Sequence, residues 1–154
     1  MTPTLEDAIK LALRAHRGQS DKAGQPYILH PLRVMLSLDT EEERMVGVLH
    51  DVVEDTREKP RPEDRITFEK LREWGYPDSV VEAIEHVTKR PEEEGEEGYR
   101  FFVERAKRNA LARKVKLADL ADNLDVSRLA PPLRHFDLER INRYLDALRT
   151  LKQV

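Results

Sequence analysis

The chain has 154 residues, no cysteine and a formal net charge of −3, with 37% charged and 39% hydrophobic residues. This length fits a single domain, 1–154, that can bury its own core. The absence of cysteine excludes disulfides, thiolate metal sites and cysteine nucleophiles, and a pI near 6.0 gives no basic field for nucleic acid.

No apolar run in the chain approaches the roughly 18 residues of a membrane span. The amino-terminal residues 1–7 also lack the pattern of a signal peptide. We therefore expect a cytoplasmic protein with neither a membrane nor a nucleic-acid partner.

The first half of the chain predicts helices separated by short loops. Apolar residues at helical spacing follow Thr4, which with Asp7 forms a partial capping box, and Gly18 ends this helix. Residues 22–27 are predicted as a loop, and His30 with the following proline begins the next helix. A capping box over 40–43 opens a helix that is predicted to continue through 50–55.

The second half repeats this pattern. We predict a charged loop over 57–65, helices over 67–74 and 78–88, a solvated acidic loop over 92–97, and helices over 99–107 and 110–126. The last helix, 138–151, is amphipathic and suits a homodimer interface as well as the core. The fold class is all-α, a bundle of about seven to eight helices, with Tyr27 and Trp74 expected in the core.

The most informative segment is the helix that carries His50, Asp51, Glu54 and Asp55. On a continuous helix His50 lies over Glu54 and Asp51 over Asp55, and such a face is costly to bury without a cation. His30 and Asp119 are available as further donors, since two histidines and two carboxylates leave positions for water and substrate.

Simpler interpretations exist for each of these residues. A His-Asp pair occurs by chance in many proteins, His30 could cap a helix, and Asp119 could be a surface carboxylate. Glu54 and Asp55 could belong to a solvated helix end.

Ordered sequence blocks decide between these interpretations. The chain resembles the HD-domain metal phosphohydrolases, specifically the hydrolase domain of RelA/SpoT alarmone enzymes and their small single-domain relatives. The matching blocks occur in family order over about residues 12–125: Ala15-His16-Arg17-Gly18-Gln19, Lys22-Ala23-Gly24-Gln25-Pro26-Tyr27-Ile28-Leu29-His30-Pro31, Leu49-His50-Asp51-Val52-Val53-Glu54-Asp55-Thr56, Val87-Thr88-Lys89 and Val115-Lys116-Leu117-Ala118-Asp119 with Asn123.

The resemblance implies an all-helical HD bundle with one divalent metal, Mn²⁺ in most of the family. Its ligands would be His30, His50, Asp51 and Asp119. It implies hydrolysis of the 3′-pyrophosphate of guanosine tetra- or pentaphosphate. The family's Glu-Asp pair falls on Glu54 and Asp55, of which one orients water or moves a proton; their division of roles stays open.

The substrate side departs from the family pattern in two stretches. Where the family tends to read Arg-Lys-Ser-Gly, this chain has Asp21-Lys22-Ala23-Gly24. After Asp119 the family tends to read Arg-Leu-His-Asn-Met-Arg-Thr, and this chain has Leu120-Ala121-Asp122-Asn123-Leu124-Asp125-Val126. Asp21 and Asp125 thus replace family cations, which is unfavourable beside a tetraphosphate.

The substrate contacts that remain are Lys22, as a phosphate-attracting cation, and Asn123, which could read a purine edge. Lys116 is a further candidate, with a helix-surface position as its alternative. The leading hypothesis is a pyrophosphohydrolase of guanosine 3′-pyrophosphates that, without a synthetase segment, only hydrolyses. The alternatives are an HD phosphohydrolase of another nucleotide or phosphoester, and a non-catalytic nucleotide-binding module.

Overall fold

The computed structural model describes residues 1–153, and this part of the chain contains helices but no β-strand. An isolated bridge between Ser20 and Pro26 closes the loop after the first helix. The all-α prediction is confirmed. The α-helices are α1 (Leu5–His16), α2 (Leu29–Leu36), α3 (Glu41–Leu49), α4 (Val52–Thr56), α5 (Phe68–Glu73), α6 (Asp78–Val87), α7 (Gly95–Lys107), α8 (Ala110–Asn123) and α9 (His135–Lys152).

Both predicted capping boxes are present. The Thr4 hydroxyl accepts a bond from the Asp7 N–H at the start of α1, and Thr40 does the same for Glu43 at the start of α3. In each box the acidic side chain bonds back to the threonine N–H. Each box satisfies N–H groups that the first helical turn leaves unpaired.

Helix α3 is the centre of the main core. It packs against α1, α2, α6 and α8, and its residues Val46, Val48 and Leu49 have no solvent exposure. Burying a side chain of this size stabilises the fold by about 1.5–3 kcal/mol. A smaller cluster formed by Val103, Leu120, Ala147 and Leu151 joins α7, α8 and α9.

The helix predicted to continue through 50–55 is interrupted after Leu49. Its second part forms the separate short helix α4, which is additional to the seven to eight helices expected. Asp51 has φ −106° and ψ −3° and stands before α4. The His50 ring bonds the carbonyl of Gly47 at 2.6 Å, the acceptor that an unbroken helix would offer to the Asp51 N–H. The stacking predicted for an unbroken helix is therefore replaced by a turn at 50–51.

Two further predictions are wrong. Residues 95–97 form the first turn of α7 and not a solvated loop. Carboxylates in this turn are favourable because they interact with the positive end of the helix dipole. Glu93 is buried and its Oε1 lies 2.6 Å from the Arg105 Nη2. Trp74, expected in the core, is 40% exposed.

Within residues 1–153, no helix combines the length and the hydropathy that crossing a membrane requires.

Candidate metal centre and adjoining cavity

Three packed helices bring the four predicted metal ligands together. His30 lies in the first turn of α2, His50 and Asp51 occupy the turn between α3 and α4, and Asp119 lies on α8. The side chains of His30, His50 and Asp119 are buried, and Asp51 is partly exposed. Because α2, α3 and α8 all contact one another, residues 89 positions apart in sequence face a common point.

The donor atoms of these four residues, called the ligand cluster below, lie close together. His30 Nε2 lies 3.3 Å from His50 Nε2, and Asp51 Oδ2 lies 3.0 Å from His50 Nε2 and 3.8 Å from His30 Nε2. Asp119 Oδ1 lies 2.9 Å from His30 Nε2 and 3.4 Å from His50 Nε2. One ligand atom each from His30, His50 and Asp51 falls within 4.8 Å of the others.

The outer ring nitrogens determine which histidine atoms can bind a cation. His50 Nδ1 lies 2.6 Å from the Gly47 carbonyl and His30 Nδ1 lies 2.7 Å from Asp122 Oδ2. A carbonyl and a carboxylate only accept hydrogen bonds, so each Nδ1 would carry the proton when a cation takes the place of a proton at Nε2. In the neutral rings both Nε2 atoms then present lone pairs to the centre of the cluster.

This donor set fits one divalent cation. Two ring lone pairs and two carboxylate oxygens repel one another at these distances unless a cation or shared protons lie among them. Burial by itself lowers the pKa of His30, but Asp119 and Asp122 raise it to about 8. Burial by itself raises the pKa of Asp119, but Lys116 and His50 hold it well below its usual value.

Asp119 is held in place by two side chains of its own helix. Lys116 Nζ lies 2.8 Å from Asp119 Oδ2, and Asn123 Nδ2 donates to Asp119 Oδ1 at 3.0 Å. Lys116 is buried, with its ammonium 4.7 Å from the centre of the Phe102 ring. It is therefore not a surface residue, and its predicted contact with substrate stays a prediction.

Glu54 and Asp55 point to different partners. Glu54 Oε1 accepts from the Lys89 backbone N–H at 3.1 Å, whereas Asp55 Oδ2 accepts from Gln19 Nε2 at 2.9 Å. Burial and the nearby Asp51 charge raise the pKa of both carboxyl groups. A raised carboxyl pKa favours a group that exchanges a proton near neutral pH.

A cavity of about 370 Å³ opens onto the ligand cluster at His30. It contains the predicted substrate contacts Lys22 and Asn123 and also Asp21 and Asp125, but not Lys116. The lining residues are Gln19, Ser20, Asp21, Lys22, Ala23, Tyr27, His30, Arg33, Asp122, Asn123, Asp125, Arg128, Leu129, Arg140 and Tyr144.

Sequence reasoning missed several residues that support the ligand cluster. The Tyr27 hydroxyl donates to Asp51 Oδ2, and its ring lies between those of His16 and His30. Tyr27 is thus a wall of the cavity rather than a core residue. Gln19 belongs to a block quoted above, and Asp122 follows Asp119 by three residues, a spacing that places both on one helix face.

Comparison with known proteins defines the class to which this fold and site belong. The HD domain family model matches residues 17–127. The chain belongs to the HD domain family, as its sequence blocks predicted.

The more specific resemblance to RelA/SpoT proteins is also confirmed. The chain is 30% identical over 128 residues to guanosine-3′,5′-bis(diphosphate) 3′-pyrophosphohydrolase of Aquifex aeolicus, covering 78% of this chain and 17% of that protein. It is 33% identical over 132 residues to bifunctional (p)ppGpp synthase/hydrolase SpoT of Escherichia coli, with the same two coverages. The putative chloroplastic GTP diphosphokinase RSH1 of Oryza sativa is 39% identical over 90 residues, 55% of this chain and 9% of that protein.

The chain therefore spans less than a fifth of the length of these curated relatives. A solved structure of similar fold belongs to a metazoan ortholog of SpoT that is described as hydrolysing ppGpp. Its TM-score is 0.75 at 24% identity, over 97% of this chain and 85% of that one. This likeness shows the fold.

Proposed function

We propose that this chain is a metal-dependent pyrophosphohydrolase that removes the 3′-pyrophosphate of guanosine tetra- or pentaphosphate. The observation that carries the proposal is the convergence of His30, His50, Asp51 and Asp119 beside a cavity, with Glu54 and Asp55 one turn beyond. The similarity to a guanosine-3′,5′-bis(diphosphate) 3′-pyrophosphohydrolase of Aquifex aeolicus and to the synthase/hydrolase SpoT of Escherichia coli supports this choice of substrate.

His30, His50, Asp51 and Asp119 would hold one divalent cation. We propose Mn²⁺ because the resemblance to the RelA/SpoT hydrolases implies this ion, and because a donor set of imidazole nitrogens and carboxylate oxygens accepts it. Such an ion, when bound, polarises a phosphoryl oxygen and lowers the pKa of water.

The chain's own residues would handle the protons. A carboxyl group with a raised pKa can take a proton from water and later give it to the departing oxygen. Glu54 and Asp55 both meet this requirement, and Asp55 is the one held by a side-chain donor, Gln19. Lys22 and Asn123 would contact the nucleotide, and Lys116 would act on it through Asp119.

The carboxylates of Asp21 and Asp125, which depart from the family pattern, are hydrogen-bonded to neighbouring residues of their own loops. Asp21 Oδ1 accepts bonds from the N–H groups of Ala23 and Gln25, both at 2.9 Å. Asp125 bonds Ser127 and lies 3.0 Å from Arg128 Nη1. These bonds turn both carboxylates toward their own loops, which reduces their direct conflict with a phosphate in the cavity.

A second candidate keeps the metal chemistry and changes the substrate to a less charged nucleotide or phosphoester. It is favoured by the three carboxylates among the residues that line the cavity, Asp21, Asp122 and Asp125. Asp122 and Asp125 are paired with Arg33 and Arg128 of the same lining. The charge of Asp21 therefore opposes a highly charged substrate most directly.

One assay separates the candidates. The Mn²⁺-loaded chain is incubated with guanosine tetraphosphate and with a panel of other nucleotides, and the products are identified. Release of GDP and pyrophosphate supports the first candidate, and turnover of other nucleotides alone supports the second. Binding of nucleotide without any turnover would instead support a non-catalytic module.

Matched variants connect turnover to the site. Asp55→Asn and Glu54→Gln are each expected to lower kcat by about 100-fold or more if the group moves a proton. Glu58→Gln is the control, since Glu58 is an exposed carboxylate just after α4. Equal activity of all three variants would exclude Glu54 and Asp55 from the reaction.

A further inference from the structure

Asp122 accepts a hydrogen bond from the predicted metal ligand His30, at the ring nitrogen that faces away from the ligand cluster. Its Oδ2 lies 2.7 Å from His30 Nδ1, while the opposite ring nitrogen, Nε2, lies 2.9 Å from Asp119 Oδ1. The side chain of Asp122 is 11% exposed.

Two arginines hold Asp122 in this position. Arg33 donates from Nε to Oδ1 at 2.7 Å and from Nη2 to Oδ2 at 3.1 Å. Arg128 donates from Nη2 to the Asp122 backbone carbonyl at 3.0 Å. Burial by itself would raise the pKa of Asp122, but the bonds from His30 and Arg33 hold it below its usual value.

The helix spacing explains why these contacts coincide. Arg33 follows His30 by three residues on α2, and Asp122 follows Asp119 by three residues on α8. Residues three apart lie on one helix face, so the two facing helices contribute one metal ligand and one supporting side chain each.

An ionised acceptor at Nδ1 has two effects on a histidine ligand. It keeps the proton on Nδ1, which leaves Nε2 free to bind a cation, and it increases the electron density that Nε2 donates. A neutral amide or water at the same place would hold the Nδ1 proton only weakly. It would hardly increase the electron density at Nε2.

We propose that Asp122, fixed by Arg33, is a positioning residue that sets the tautomer of His30 and strengthens metal binding. This inference rests on the metal site proposed above and extends it to a residue that contacts no ion. A purely structural Asp122 would link α2 to α8 and leave the His30 ring unaffected.

Metal binding is the first test. The metal-free chain is titrated with Mn²⁺ while the paramagnetic resonance signal of the unbound ion is followed. Asp122→Ala is expected to weaken Mn²⁺ binding about 10- to 100-fold, and Asp122→Asn less, because its oxygen still accepts a bond. Arg33→Gln is expected to weaken it by at most about fivefold, as for a partly exposed ion pair.

Asp39→Asn is the control for charge. The Asp39 side chain is 80% exposed and pairs with Lys114, so its loss changes the net charge equally without touching the cluster. Binding by Asp122→Ala within about twofold of the wild type would overturn the proposal, since a supporting carboxylate contributes more than that. If Asp122→Ala does not fold, Asp122→Asn decides by the same criterion.

The tautomer is the second test. Ring ¹⁵N spectra of the metal-free chain, which has five histidines, are recorded above the His30 pKa. The wild type is expected to carry the His30 proton on Nδ1, and Asp122→Ala to lose this preference. An unchanged tautomer overturns the proposal even if Mn²⁺ binding weakens. Neither readout needs turnover, so failure of the guanosine tetraphosphate assay is a separate result.

Discussion

The ligand cluster and the wall of the cavity differ in how their charges are arranged. Cluster residues His30, His50 and Asp119 are buried, lie on or beside helices, and direct their donor atoms inward. The cavity wall at Asp21 and Asp125 lies in loops, and these carboxylates bond their own loop residues. The first region offers a donor set that fits a divalent cation, and in the second the carboxylates are hydrogen-bonded within their own loops.

This difference indicates what each region can tolerate. A change in the cluster leaves buried polar atoms without a partner, which is costly and abolishes a defined function. A change in the loop wall alters a partly or fully exposed charge that water screens, so it adjusts affinity for the substrate. We expect the first kind of change to act on metal binding and the second on substrate choice.

The largest effect is expected from His50→Ala. Loss of one ring nitrogen should reduce Mn²⁺ affinity and hydrolysis by more than the roughly 100-fold that a supporting partner contributes. Calorimetry with Mn²⁺ and product assays measure both. His135→Ala is the control, because the side chain of His135 is 87% exposed. Unchanged Mn²⁺ affinity in His50→Ala would refute the cluster as the metal site.

A moderate effect is expected from Gln19→Met. This change removes the donor to Asp55 Oδ2 and the acceptor of His16 Nδ1. Loss of a bond to a charged group costs about 1.5 kcal/mol, so kcat should fall about tenfold.

The Asp55→Asn background shows whether Gln19 acts through Asp55. Steady-state kinetics of the two single variants and the double variant form a double-mutant cycle. Gln19→Met should cause no further loss when Asp55 is already changed. Independent, multiplying losses would show that Gln19 acts elsewhere.

A gain in activity toward guanosine tetraphosphate is expected from Asp21→Arg in the wall of the cavity. Replacing this anion by a cation should raise kcat/KM for guanosine tetraphosphate by about tenfold, and the gain should shrink at high salt. Asp21→Asn keeps the oxygen that bonds Ala23 and Gln25 and should give a smaller gain. No gain from either variant would argue for the less charged substrate of the second candidate.

The smallest effect is expected from Glu43→Gln, which changes a carboxylate outside both the ligand cluster and the cavity. The Lys114 ammonium and the Thr40 cap lower the pKa of Glu43 to about 2. A lowered carboxyl pKa stabilises the fold above the unfolded pKa and loses this stabilisation as pH falls through about 2. The variant should be less stable than wild type by about 1 kcal/mol at pH 7.

Urea unfolding at neutral and acidic pH measures this difference. The two proteins should become equally stable only below about pH 2, where Glu43 of the folded wild type becomes fully protonated. Hydrolysis should be unchanged at neutral pH. A stability difference that persists in acid would assign the effect to packing instead of charge.

The helices could be predicted from the sequence because their signals are local, and the four cluster residues could be predicted because ordered sequence blocks resemble those of a known family. Capping boxes and apolar spacing define α1 and α3, and an imidazole beside a carboxylate suggests a metal ligand. The turn at 50–51 could not be predicted, since it depends on the His50 ring competing for the Gly47 carbonyl. That competition exists only once the ring has been packed.

The supporting residues were missed for a related reason. The contact between Asp122 and His30 joins positions 92 apart, and that between Gln19 and Asp55 joins positions 36 apart. A single sequence gives no sign of such pairings. The sequence predicts a solvated acidic stretch because nothing local indicates that Glu93 pairs with Arg105.

Lys116 gives the cluster a counter-ion that cannot diffuse away. Its ammonium, buried beneath Asp119 and over the Phe102 ring, stays with the carboxylate whether or not a divalent cation is present. Many small metal-binding folds lose their structure with their ion because metal binding supplies their folding free energy, and the ligand charges left behind also repel one another. In this chain part of that repulsion is cancelled by a covalently attached charge, so chelation should remove activity while α8 keeps its place in the bundle.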